Sequence, residues 1–159
     1  MKQIFTSERI RFVAVSELLV RDYLEMVNDV EHVQRYLGGS QKPYTEQKEI
    51  AWVREKLSNG EQVFSMLDKE SGAFIGNIEL FDVKDESAEL GIAITARMQD
   101  RGYGTEAVAA LTAYGREALG LRRIRLRTDE NNHRAIRVYE KCGFRTCGRR
   151  DGELYMELV

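Results

Sequence analysis

Two glycines one residue apart, Gly102 and Gly104, lie in the stretch MQDRGYGTEAV, which runs directly into alanine-rich sequence. Glycine allows a backbone to approach a ligand closely because it has no Cβ. Where such a turn leads into a helix, unbonded N–H groups and the positive end of the helix dipole both point out of it. The stretch therefore predicts a site that holds a phosphate group at a helix N-terminus.

The spacing of apolar residues changes along the chain and predicts the helices and strands that must position this turn. A strand is predicted at 9–15, followed by helices that begin after Ser16, over 31–37 and after Thr45. Three segments with a period near two, QVFSMLD, AFIGNIELFDV and SAELGIAIT, then indicate an antiparallel meander. The rest is predicted as a helix over 105–119, a strand RRIRLRT, a helix over 132–141 and a hairpin around Asp151-Gly152. This order predicts a single α+β domain over 1–159, with a mixed, mostly antiparallel central sheet flanked by helices.

Composition excludes several classes of protein. The 159 residues include 24 Lys+Arg and 26 Asp+Glu, which gives a formal net charge of -2. The chain therefore lacks the overall positive charge that favours binding to nucleic acid. Apolar runs are too short to cross a membrane, and MKQIFTSERI has no signal-peptide core, so we expect a cytoplasmic protein with no membrane partner. The two cysteines and two histidines are scattered, so we predict neither a disulfide nor a metal site.

Three ligands compete for the glycine turn. A triphosphate loop requires Lys and then Ser or Thr directly after its second glycine, and this sequence lacks them after Gly104. A dinucleotide is a closer fit, because GYGTEA matches G-x-G-x-x-A and Asp129 follows the next predicted strand. In that fold, however, the first glycine follows the strand almost directly, whereas Gly102 is the eighth residue after Ile94 here. The surrounding meander and the lack of a second mononucleotide half also disfavour a dinucleotide-binding oxidoreductase. The third ligand is coenzyme A.

Two motifs resemble those of the GCN5-related N-acetyltransferases. The turn from Gln99 to Gly104 is similar to the family's Q/R-x-x-G-x-G/A motif, and ELGIAI before it is similar to its fourth strand. The stretch NNHRAIRVYEKCGF resembles its second signature, matched at Asn132, Ala135, Tyr139, Lys141, Gly143 and Phe144. The resemblance covers 63–159. Within the family, the chain loosely resembles the branch that includes ribosomal-protein N-terminal acetyltransferases and spermidine acetyltransferases.

This resemblance implies a co-substrate and a mechanism. The co-substrate is acetyl-CoA, whose acetyl group passes directly to a primary amine, because a thioester needs no enzyme nucleophile. A carboxylate at Glu89, or at Glu79 on the preceding strand, accepts the amine proton, and Tyr139 protonates the departing thiolate. The implied contacts to the coenzyme are the strand backbone at Ile92, Ala93 and Ile94, the turn residues Gln99, Asp100, Arg101, Gly102, Tyr103, Gly104 and Thr105, and the helix residues Asn132, Ala135, Tyr139 and Lys141.

The acceptor stays open between a protein N-terminal α-amine and a small polyamine or diamine. We expect the least constrained parts to select it, which are the helices, the YLGGSQKPYT loop and the RRDGELY hairpin. The family resemblance also implies a homodimer. A catalytically silent acyl-CoA-binding module remains an alternative, since it keeps the glycine turn without turnover.

Overall fold

The computed structural model describes residues 1–37 and 43–159. Within them the strands are β1 (Gln3–Thr6), β2 (Ile10–Ala14), β3 (Gln62–Asp68), β4 (Phe74–Lys84), β5 (Ser87–Ile94), β6 (Arg123–Asp129), β7 (Arg145–Arg150) and β8 (Glu153–Leu158). They form a sheet in the order β1-β2-β3-β4-β5-β6-β8-β7. Only the β5–β6 pair is parallel among these strands, so the predicted mixed and mostly antiparallel sheet is confirmed.

Two of the described α-helices begin at residues whose side chains cap them. The helices are α1 (Val20–Val27), α2 (Glu46–Ser58), α3 (Tyr103–Leu119) and α4 (His133–Lys141). The Thr45 hydroxyl accepts a hydrogen bond from the Lys48 N–H at the start of α2, and the Asn132 carboxamide accepts one from the Ala135 N–H at the start of α4. Gly120 ends α3 at a φ of 67°, a conformation that costs glycine little.

The helices pack in two layers, one on each face of the sheet. On one face α3 and α4 share a core with β5 and β6, which includes Val108, Tyr139, Leu90 and Leu126. On the other face α1 and α2 pack on β2, β3 and β4 around a second apolar cluster centred on Tyr23. None of the helices in the described ranges is long and apolar enough to span a membrane.

The β5 and β6 strands pair over only a short distance. Their parallel register covers Ser87 to Glu89 against Arg123 to Arg125, although β5 continues to Ile94 and β6 to Asp129. β4 continues to pair with the other edge of β5 as far as Ile94. The two central strands therefore diverge beyond Glu89, and the edge of β5 that faces β6 has no strand partner there.

The structure corrects several sequence predictions. β1 was missed, because four residues give too short an alternation to read as a strand. The helix expected over 31–37 is a set of turns with a single 3-10 turn at Gln34–Tyr36, since the Asp29 carbonyl accepts hydrogen bonds from two successive N–H groups, those of Val33 and Gln34. The helix expected from residue 105 begins at Tyr103. Residues 38–42 of the YLGGSQKPYT loop, which is expected to help select the acceptor, fall outside the described residues.

Candidate active site

The glycine turn forms a concave run of backbone N–H groups at the start of α3. Asp100 and Gly102 have φ angles of 60° and 83°, both in the left-handed region. Alternation of left-handed and ordinary residues aims successive N–H groups at one point, which is an anion-binding geometry. Among the described residues, none accepts a hydrogen bond from the N–H of Arg101, Gly102, Tyr103, Gly104 or Thr105. These donors are available to a ligand at the positive end of a 17-residue helix.

Gly104 lies where α3, β5 and α4 meet. A Cβ built on it would lie 3.4 Å from Ile94 Cδ1 and 3.4 Å from a Val138 methyl group. The position therefore faces the end of the free β5 edge on one side and α4 on the other. A ligand that enters from the turn reaches the gap between β5 and β6 along this wall, because Ile94 is the last residue of β5.

The side chain of Gln99 shapes the turn. Its Nε2 donates to the Ile94 carbonyl oxygen at 2.9 Å and to the His32 carbonyl oxygen at 3.3 Å. Its Oε1 accepts from Arg134 on the first turn of α4, and its N–H donates to the Ala96 carbonyl oxygen at 3.2 Å. All the donors of Gln99 are thus engaged within the protein, so it holds the loop against β5 and α4.

Arg134 also pairs with the carboxylate of Asp100, at 3.4 Å between Nε and Oδ1. That ion pair offsets a negative charge that would otherwise oppose an anionic ligand. Arg101, in contrast, forms no ion pair within the described part of the chain. Its guanidinium is the free positive charge of the turn.

Tyr139 is buried on α4, one residue after the Val138 that flanks Gly104. It is 6% exposed, and its ring lies 6.0 Å from that of Phe144. Burial raises the pKa of its phenol above the ordinary value, so the group stays protonated at neutral pH. Within residues 1–37 and 43–159 no hydrogen bond engages its hydroxyl.

The two carboxylates predicted as bases differ in surroundings. Glu89 ends the paired part of β5 and forms an ion pair with Arg127 on β6, at 3.3 Å between Oε2 and Nε. Glu79 lies on β4 directly opposite Gly91, in the part of β5 that no longer pairs with β6, and its Oε1 is 3.4 Å from the position that a Gly91 Cβ would occupy. Burial raises the pKa of Glu79, an effect that the charge of Lys56 partly offsets.

Polar groups lie under α1 and α2 on the same sheet face as Glu79. The hydroxyls of Tyr23 and Ser65 are 2.5 Å apart, and Ser65 donates to the Asn77 carboxamide at 2.8 Å. Asn77 pairs with Ala93 of β5, so this network ends beside the free strand edge.

Glu49 of α2 is 6% exposed, has no ion pair within the described residues, and has a pKa raised by burial. Sequence patterns missed Glu49 because a carboxylate on a helix is ordinarily solvated.

The remaining predicted contacts lie on α4 and on α3. Asn132 uses its carboxamide oxygen to cap α4, Ala135 packs against the core of α3 and α4, and Lys141 is exposed in the last turn. Thr105 lies inside the first turn of α3, where its carbonyl oxygen accepts from the Cys142 thiol. No group of three or more potential metal ligands occurs within the ranges that the structure describes.

A family model described as "Acetyltransferase (GNAT) domain" matches residues 9–145, so the chain belongs to the GNAT family of acetyl-CoA-dependent N-acetyltransferases. The match begins one residue before β2, so residues 9–62, which precede the part of the chain with the recognised resemblance, also belong to the family domain.

Three relatives illustrate the similarity. The spermidine N(1)-acetyltransferase of Escherichia coli (strain K12) is 27% identical over 137 residues, which cover 85% of this chain and 70% of that protein. A GNAT-family acetyltransferase from Bacillus anthracis superposes with a TM-score of 0.86 at 22% identity, over 97% of this chain and 96% of that one. The spermidine N-acetyltransferase from Vibrio cholerae, solved with CoA and spermine, superposes with a TM-score of 0.83 at 21% identity, over 94% and 95% of the two chains.

Proposed function

We propose that the glycine turn binds the pyrophosphate of acetyl-CoA and that the free edge of β5 binds its pantetheine arm. The observation that carries this proposal is the continuity of the two features. Unbonded N–H groups at the start of α3 adjoin Gly104, which adjoins the end of a strand edge without a strand partner. The amide groups of the pantetheine arm can pair with such an edge as another strand would.

Each part of the turn has its own role in this proposal. The N–H groups of Gly102, Tyr103 and Gly104 donate to the phosphate oxygens, and the Arg101 guanidinium adds a charge-assisted bond. Asp100 contributes its left-handed backbone, since Arg134 engages its carboxylate. Gln99 fixes the loop instead of contacting the coenzyme through its side chain. The backbone of Ile92, Ala93 and Ile94 is part of the free β5 edge in this proposal. The predicted contacts of Thr105, Asn132, Ala135 and Lys141 stay predictions.

The reaction requires a neutral amine and a proton for the departing thiolate. An amine with a pKa near 10 is neutral in about one part per thousand at pH 7, which handicaps attack by about 4 kcal/mol. We propose Glu79 as the group that accepts the amine proton, directly or through water. Its raised pKa makes it a stronger base than an ordinary carboxylate, and Arg127 does not engage it as it engages Glu89. The Tyr139 phenol supplies the proton to the thiolate.

The acceptor that we propose is the primary amine of a small polyamine. Two observations support this class over a protein N-terminus. The E. coli relative is a spermidine N(1)-acetyltransferase by name. In addition, burial raises the pKa of two carboxylates on the side of the sheet that α1 and α2 cover, Glu79 of β4 and Glu49 of α2, and a bound polycation would offset their negative charge.

A panel of acceptors tests this function. Purified protein is incubated with acetyl-CoA and either spermidine or a serine-starting peptide, and CoA release and acetylated product are measured. We expect turnover with spermidine and little with the peptide. Preference for the peptide would contradict the polyamine proposal, and CoA binding without turnover on any amine would favour a silent acyl-CoA-binding module.

A further inference from the structure

A second ion pair supports the glycine turn from outside the family motif. Glu106 lies in the first turn of α3, two residues after Gly104. Its Oε2 accepts from the Arg9 N–H at 2.7 Å and from the Ser7 hydroxyl at 2.5 Å, and its Oε1 accepts from Arg9 Nε at 2.8 Å. The turn between β1 and β2 is therefore bound to the start of α3.

Arg9 also contacts the backbone of the turn itself. Its Nη1 donates to the Arg101 carbonyl oxygen at 3.1 Å, and its Nη2 lies 3.2 Å from the position that a Gly102 Cβ would occupy. Its guanidinium lies 4.4 Å from the centre of the Tyr103 ring, and the Tyr103 hydroxyl donates to Asp68 on β3. One side chain thus engages three successive residues of the turn.

The charges around the turn explain why this arrangement matters for an anion. Partial burial acts to raise the pKa of Glu106, but hydrogen bonds from Ser7 and Arg9 hold it below the ordinary value, so Glu106 is ionised at neutral pH. A carboxylate in the first helical turn competes with an anionic ligand for the positive end of the dipole. Arg9 offsets the negative charge of Glu106, as Arg134 offsets that of Asp100. The positive charge of Arg101 has no such partner among the described residues.

We propose that Arg9 is a positioning residue for the coenzyme: it neutralises Glu106 and holds the Arg101 carbonyl, which keeps the N–H groups of the turn oriented toward the pyrophosphate. The inference rests on the proposed acetyl-CoA site and adds a residue that neither signature motif contains. Because Arg9 acts through Glu106 and the loop backbone, its removal weakens coenzyme binding although no residue of the loop is replaced.

A double-mutant cycle with CoA as the ligand tests this role. Dissociation constants are measured by calorimetry for the wild type, Arg9→Met, Glu106→Gln and the double variant. We expect Arg9→Met to weaken binding about tenfold, equivalent to about 1.4 kcal/mol, because it leaves Glu106 uncompensated. The double variant should recover most of the lost affinity and bind within about threefold of the wild type, because the competing charge is gone and only the hydrogen bond to the Arg101 carbonyl is still missing. Arg54→Met, which breaks the exposed ion pair with Glu17, is the matched control and should leave CoA binding unchanged.

Several outcomes would overturn the inference. One is an Arg9→Met variant that melts at a lower temperature yet binds CoA as the wild type does, since that result assigns Arg9 to stability alone. Another is a double variant as weak as Arg9→Met, which would mean that Arg9 does not act through Glu106. If Arg9→Met does not fold, Arg9→Lys keeps the charge but cannot make both side-chain hydrogen bonds, and unchanged CoA binding in it would refute the role of Arg9 in holding the Arg101 carbonyl. Failure of the wild type to bind CoA would instead refute the proposed function.

Discussion

Replacement of Tyr139 by phenylalanine separates a catalytic phenol from a packing ring. The ring is buried and its hydroxyl has no hydrogen-bond partner within the described residues, so the Tyr139→Phe variant keeps the packing and loses no protein hydrogen bond. We therefore expect the unfolding free energy to change by less than about 1 kcal/mol. A general acid contributes about 10²- to 10⁴-fold, so turnover should fall at least about 100-fold, or about 2.7 kcal/mol in the barrier.

The pKa of Tyr139 gives this prediction a second measurement. Burial raises the pKa, so the folded protein keeps the phenol protonated above pH 10, where the unfolded chain begins to ionise. The stability that this group contributes is therefore intact below pH 10 and is lost as pH rises toward the folded pKa. Wild-type turnover should accordingly show no decline from Tyr139 ionisation up to pH 9.

The assay is the rate of CoA release at saturating acetyl-CoA and amine, together with a CoA titration by calorimetry. Tyr139→Phe should bind CoA with a dissociation constant near that of the wild type. Tyr114→Phe is the matched control. Tyr114 lies on α3 more than two turns beyond the glycine turn, and its hydroxyl makes only a 3.5 Å contact with Gln62. Equal turnover in Tyr139→Phe and the wild type would refute the proton-donor role and leave Tyr139 as a packing residue.

Three other substitutions have expected outcomes. Gly102→Ala and Gly120→Ala both place a side chain at a positive φ, 83° and 67°, so each variant should lose about 1–2 kcal/mol of stability. Only Gly102→Ala should weaken CoA binding in calorimetry. Equal CoA affinities of the two variants would argue against the turn as the pyrophosphate site. Glu79→Gln should abolish the acidic limb of the kcat/KM profile, which in the wild type should lie above pH 4.5, and should raise the melting temperature at pH 7, because a buried carboxylate with a raised pKa costs stability once ionised. Retention of that limb in Glu79→Gln, with its loss in Glu89→Gln, would reassign the base to Glu89.

Local chemistry explains what the sequence could predict. The helix predicted over 132–141 is determined by residues within one or two turns of each other, and the structure places it at His133–Lys141 with Asn132 as its N-cap. The meander was equally readable, because period-two alternation is a property of each strand by itself. The two family motifs supplied the coenzyme, since a glycine pair alone fits a dinucleotide as well.

The pairings that complete the site depend on contacts across long sequence separations. Arg9 and Glu106 are 97 residues apart, and Gln99 and Arg134 are 35 apart, so no spacing links them before the sheet brings them together. The β5–β6 divergence depends on where a parallel register stops, which no residue type marks. The choice between Glu79 and Glu89 required the register of β4 on β5 and the position of Arg127.

The central claim is that the α3 turn and the free β5 edge form an acetyl-CoA site, and thermal unfolding with candidate ligands tests it most directly. A ligand that binds only the folded state at about 100 times its dissociation constant adds about 2.7 kcal/mol of stability. The proposed site predicts that acetyl-CoA and CoA each raise the melting temperature of the wild type, whereas NAD and ATP at the same concentration do not. A rise with NAD and none with acetyl-CoA or CoA would contradict it.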